Sequence, residues 1–164
     1  MISELEHRQI DALQSFKILQ DVAARDGDIV QIDPYVYAGR LTIPAGGKRN
    51  VSIPIENDSD FYLTQMGAAA VDQTGAQAGN NELVYVQVTD AATNRHFFQS
   101  PILYWLAFGT HNDEGFAAFN PAPRIFAANS RINIEANFPV AIAATSVTLQ
   151  LAFIGARVAF ARGH

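Results

Sequence analysis

Two patterns of apolar spacing divide the chain near residue 28. Leu5, Ile10, Leu13, Phe16, Leu19 and Val22 recur at intervals of three or five in a segment otherwise rich in Glu, Gln, Asp and Arg, which draws one apolar stripe along a helix. Ser3 and Glu6 have the S-x-x-E spacing that satisfies free N–H groups at a helix start. Asp26-Gly27-Asp28 then supplies a stop. The spacing predicts an N-terminal amphipathic helical arm over residues 1–28.

From Ile29 onward the period changes to two. Tyr35, Tyr37, Leu41 and Ile43 fall on one face of a first strand, and Pro44-Ala45-Gly46-Gly47 turns the chain into Val51, Ile53 and Ile55. A short strand around Phe61 to Met66 leads into Ala, Gln, Gly and Asn over 68–81, a composition that predicts a long exposed loop. Val84, Val86 and Val88 pair across a turn at 90–94 with His96-Phe97-Phe98. Ile102 to Phe108 is apolar on both faces and suits a buried strand. Ile125-Phe126, then Ile132, Ile134 and Phe138, and finally Val147, Leu149, Leu151 and Phe153 make the later strands. About eight strands, Gly and Pro turns and no second helix predict a mainly β domain over 29–164. The expected architecture is an antiparallel β-sandwich, jelly-roll-like, because two facing sheets bury both apolar faces.

Composition narrows the function. Apolar residues make up 49% of the 164 and charged residues 16%, against about 25% charged in an average soluble domain. A chain of this kind folds or associates rather than staying disordered. Eleven Lys and Arg against sixteen Asp and Glu leave a formal charge of -5, which disfavours direct nucleic-acid binding through phosphates. The absence of cysteine removes disulfides, thiolate metal sites and thiol nucleophiles. No secretory signal is recognisable, and no apolar run approaches the ~20 residues of a membrane span. A soluble, cytosolically made protein with no membrane partner is expected, its low charge matching a surface covered by neighbouring subunits.

Catalytic patterns are missing. The four histidines, His7, His96, His111 and His164, are scattered, and no nucleophile elbow, H-E-x-x-H pair or Walker loop occurs. His111-Asn112-Asp113-Glu114 offers an imidazole and two carboxylates, but its spacing matches no established metal cradle, so a solvated loop is the simpler reading. Asn57-Asp58-Ser59-Asp60 reads more simply as an Asx turn than as a calcium site. Gly46-Gly47-Lys48-Arg49 lacks the following helix that makes a phosphate cradle effective and reads as a hairpin turn. Tyr104, Trp105, Phe108, Phe116 and Phe119 could line a carbohydrate groove, although core or subunit packing explains them as well, with Tyr104 and Trp105 on opposite sides of a strand. No enzyme activity, metal or cofactor is expected.

The succession Asp33-Pro34-Tyr35-Val36-Tyr37, Asp58-Ser59-Asp60-Phe61, Val86-Gln87-Val88-Thr89-Asp90, Phe108-Gly109-Thr110, Pro123-Arg124-Ile125-Phe126-Ala127-Ala128-Asn129-Ser130 and Leu151-Ala152-Phe153-Ile154-Gly155-Ala156-Arg157-Val158 resembles small structural proteins of tailed bacteriophages. It spans most of residues 30–160. The resemblance implies a non-enzymatic β-sandwich built into the virion, as a capsid decoration or cement protein against the major capsid protein, or as a neck, collar, tail or fibre-base component. A carbohydrate-binding sandwich using Trp105 is the alternative from another class.

The arm adds a physical expectation. A helix of about twenty residues reaches roughly 30 Å, enough to cross onto a neighbour, and exchange between identical subunits closes a trimer or another ring. Leu13, Phe16 and Leu19 are therefore candidate subunit-interface residues, facing a sister copy or another virion subunit. The alternative is that the arm covers its own sandwich.

Overall fold

The computed structural model describes residues 29–78, 83–108, 117–118, 124–139 and 144–160. The predicted arm, with Leu13, Phe16 and Leu19, lies outside the described residues, as do His111 to Glu114, Phe116 and Phe119. The elements in chain order are β1 (Ile29–Pro44), β2 (Gly47–Pro54), β3 (Asp60–Asp72), β4 (Tyr85–Asp90), β5 (Arg95–His96) and β6 (Ile102–Leu103). There follow the short helix α1 (Tyr104–Phe108), β7 (Ala117–Ala118), β8 (Arg124–Phe126), β9 (Arg131–Phe138) and β10 (Ser146–Phe160).

The protein is mainly β, with two antiparallel sheets. In the first, β10 lies between β1 and β3, and both β7 and β8 pair with β3. In the second, β9 lies between β2 and β4, and both β5 and β6 pair with β4. The chain passes from the first sheet to the second through Ala45-Gly46, where Gly46 takes a φ of +72° that a side chain would resist.

Alternation decides which residues enter the core. Tyr37, Leu41 and Ile43 of β1 share a face with Leu149, Leu151 and Phe153 of β10, and with Phe61, Leu63 and Met66 of β3. From the second sheet come Ile53, Val86, Val88, Ile132, Ile134 and Phe138, all in the same buried cluster. An extra residue in β3 keeps this parity: Ile154 pairs with Gln65 but Gly155 with Leu63, leaving Thr64 as a bulge. The Thr64 hydroxyl donates to the Ile154 carbonyl at 3.1 Å, which fastens the bulge to β10.

Three expectations are corrected. Only Ile102–Leu103 of the predicted 102–108 strand is extended, and α1 follows as a helical turn. Its i, i+3, i+4 spacing puts Tyr104, Ala107 and Phe108 against the core and turns Leu106 outward, 67% exposed. Tyr104 and Trp105 thus do not occupy opposite sides of a strand; their rings meet edge to face at 5.3 Å. Second, β3 continues to Asp72 through the alanine-rich stretch assigned to a loop, because β10 offers a pairing partner as far as Val147. Third, ten strands rather than eight are formed among the described residues, four of them only two or three residues long and sharing a sheet position in pairs, β5 with β6 and β7 with β8.

Candidate interaction surface

The outer faces of the two sheets, turned away from the core, have opposite character. On the second sheet the outward residues of β2 and β9 are polar. Ser52 Oγ donates to Asn133 Oδ1 at 2.7 Å, and Lys48 Nζ lies 3.8 Å from Glu135 Oε1. Thr89 Oγ1 and His96 Nδ1 are hydrogen-bonded at 2.9 Å at the neighbouring edge. Water solvates such a face without cost.

The first sheet's outer face changes along its length. Near Pro44 it carries Arg40, Thr42, Thr148 and Gln150, with the two threonine hydroxyls bonded at 2.8 Å. Towards Ile29 it becomes apolar. Pro34, Ala156, Tyr62 and Ile125 form one row across β1, β10, β3 and β8. Val36 stands beside Ile154 in the adjacent row on one side, and Ile32 beside Val158 on the other. Val36 and Ile125 are 52% and 53% exposed. This contiguous apolar half-face marks the candidate interaction surface, since such patches on a domain signal contact with something else.

One end of the core is closed by a polar and aromatic cluster. Arg157 points to the core side of β10, forms an ion pair with Glu56 and lies 4.8 Å over the Tyr35 ring. The Glu56 N–H donates to the Tyr37 hydroxyl at 3.2 Å. Burial raises the Tyr37 phenol above its ordinary pKa, partly offset by that backbone hydrogen bond. Rings continue inward from Tyr37 to Phe61 and from Phe126 to Phe97, with centroids 4.8 and 5.6 Å apart. Apart from Arg157 Nε, which is buried without a hydrogen-bond partner, these polar groups partner one another.

The motifs singled out in the sequence are dispersed. In Asn57 to Asp60 the carboxylates fasten turns: Ser59 Oγ donates to Asp58 Oδ1 at 3.0 Å, and the Ala128 N–H to Asp60 Oδ1 at 2.8 Å. In Gly46 to Arg49 only Gly46 is in the turn and Gly47 to Arg49 already belong to β2; because β1 and β2 lie in different sheets, the expected hairpin turn is instead a crossing between sheets, and Arg49 Nη1 donates to the Lys48 carbonyl at 2.9 Å. Phe108 is buried edge to face on Phe153, and Tyr104 is 5% exposed, so neither presents a ring to a ligand. Among the described residues no cluster of three His, Asp or Glu is placed to hold a metal ion, and no helix is long and apolar enough to cross a membrane.

Sequence reading did not single out the apolar half-face, although a signal for it exists. From Leu151 to Ala156 neither parity of β10 carries a charged or polar side chain, with Ala152, Ile154 and Ala156, and then Val158, on the outward positions. A strand apolar on both faces is covered on both faces. No protein-family model matches this chain, and no curated protein matches it.

Proposed function

We propose that the two sheets form a jelly-roll sandwich and that the protein is a non-enzymatic structural component of a bacteriophage virion, a capsid decoration or cement protein. The strand order carries this reading. The first and last long strands lie side by side, β3 follows β10, and β7 and β8 share the next position; opposite them run β2, β9, β4 and the shared place of β5 and β6. Eight positions filled in that order, with the chain crossing between sheets at every step except from β4 to the place of β5 and β6, fit the double Greek key of a jelly roll, an architecture used by capsid and lectin domains. The lectin branch is disfavoured by the burial of Tyr104 and Phe108, which removes two of the rings a sugar-binding groove would need. The low overall charge supports assembly into a homo-oligomer, a trimer or another ring, docked on the shell.

Cryo-electron microscopy of intact particles that carry the protein tests the reading. Density repeated over the shell lattice supports a decoration protein. A single ring at the neck, or density at the tail or fibre base, moves the protein to those parts of the virion. Its absence from purified particles overturns the virion reading altogether.

A further inference from the structure

We propose that residues 1–28 dock on the apolar outer half-face of the first sheet in their own chain. Three observations converge on this occupant. Ala156 and Val158 point away from the core and belong to no part of its cluster, yet each is only 1% exposed within a single chain. Their partners across the sheet are Pro34 with Tyr62 and Ile32 with Asp60. Cover over these positions must therefore come from this chain.

The second observation is where the chain enters. β1 begins at Ile29, which pairs with Phe160 at the apolar end of the face, while the Arg40, Thr42 and Gln150 end lies farthest away. Residue 28 is thus delivered beside the patch, and a tethered segment meets it at an effective concentration that a free partner rarely matches. The third is chemical fit. The 28 residues carry one apolar stripe through Ile10, Leu13, Phe16 and Leu19, with Glu, Asp, Lys and Arg elsewhere. An isolated helix of that length is marginal in water and gains stability by burying its stripe. Laid on the half-face, it would replace exposed valine, isoleucine and proline with a charged surface, while the polar outer face of the second sheet offers it nothing to bury. The docking does not depend on where the protein functions.

The chain contains no cysteine, so installed thiols report cleanly. Full-length protein carrying Gln20→Cys, beside the stripe rather than in it, is paired with Val36→Cys or Ile154→Cys on the proposed face, or with Asn133→Cys on the second sheet as control. Each is treated with a flexible bis-maleimide after its near-ultraviolet circular dichroism is matched to the parent. Docking within the chain predicts a product of monomer mass for either face pair, independent of dilution and about tenfold more abundant than for the control. A product mainly of dimer mass, equal yields with the control, or no product overturns the proposal. In a second measurement, Phe16→Asp should speed maleimide labelling of Ile154→Cys several-fold; an unchanged rate likewise overturns it.

Discussion

Gly155 of β10 approaches β3 so closely that a Cβ at that position would stand 2.0 Å from the Tyr62 carbonyl oxygen and 2.9 Å from its carbonyl carbon. The atoms met are backbone, so no side-chain rotation relieves them, and the close approach occurs where the bulge at Thr64 brings β3 against β10. Gly155→Ala therefore forces the two central strands of the first sheet apart. A loss of about 1–3 kcal/mol or more is expected from such overpacking. Urea denaturation of the purified variant measures it, and an unchanged midpoint would show that the bulge is not formed in solution.

Leu151 and Leu106 are the same residue type in opposite settings, 3% and 67% exposed. Leu151→Ala removes a side chain from the centre of the shared core and should cost roughly 2–5 kcal/mol, including the cavity left behind. Leu106→Ala, on the outward side of α1, should stay within about 0.5 kcal/mol of the parent. Thermal melts of both variants check the contrast. Equal shifts would mean that α1 is not oriented with Leu106 to solvent.

How much of this was legible depends on what each segment's pattern reports. The period of two in β1, β2, β9 and the first half of β10 reports burial on one face, and there the residues named from sequence, among them Tyr37, Leu41, Ile134 and Leu149, are those in the core. Tyr104 to Phe108 is apolar at nearly every position, and such a run does not distinguish a strand from a single helical turn. The alanine stretch of β3 has weak strand propensity, and its pairing is set by β10, about eighty residues away in sequence. The half-face is assembled from β1, β3, β8 and β10 together, so no single window reveals it; only the two-sided apolar character of β10 hints at it. The two loop motifs weighed as ion sites and read as loop and turn use carboxylates that turns also use, and for Asn57 to Asp60 the turn is what the hydrogen bonds serve.

Two of the five tyrosines should titrate late. Desolvation by burial is the leading cause that raises both Tyr37 and Tyr104 above the ordinary phenol value of 10.0. Each folded-state value lies above the unfolded one, so near and above pH 10 the unfolded chain has released protons that the native protein still holds. Stability is accordingly complete below pH 10 and falls as pH rises from there towards the folded values. Ultraviolet titration at the phenolate band should show two delayed phenols, with Tyr37→Phe and Tyr104→Phe each removing one of them. A single transition at the ordinary value would contradict the burial of both rings.

At the far end of β3 the carboxylate of Asp72 holds the turn that follows. Its Oδ1 accepts the Thr74 N–H at 2.8 Å, the Thr74 hydroxyl at 2.6 Å and the Ala76 N–H at 3.1 Å. These hydrogen bonds, led by the Thr74 hydroxyl, favour the ionised form and lower its pKa from 3.8. A depressed carboxylate contributes stability that is fully present above the unfolded value and is lost as pH falls through the folded one. The effect should be local, because the turn is exposed, but it has a reporter: the neighbouring Gln73 Oε1 accepts the Thr145 N–H at 3.1 Å and ties the turn to the start of β10. Carboxyl-resonance titration should give Asp72 a midpoint below 3.8. As the carboxylate is protonated, amide exchange at Thr74, Ala76 and Thr145 should accelerate beyond its intrinsic pH trend, and Asp72→Asn should abolish that extra pH dependence while leaving the core's exchange unchanged. A midpoint at or above 3.8, or amides at 74 and 76 that follow only the intrinsic trend, would show that the carboxylate does not hold the turn.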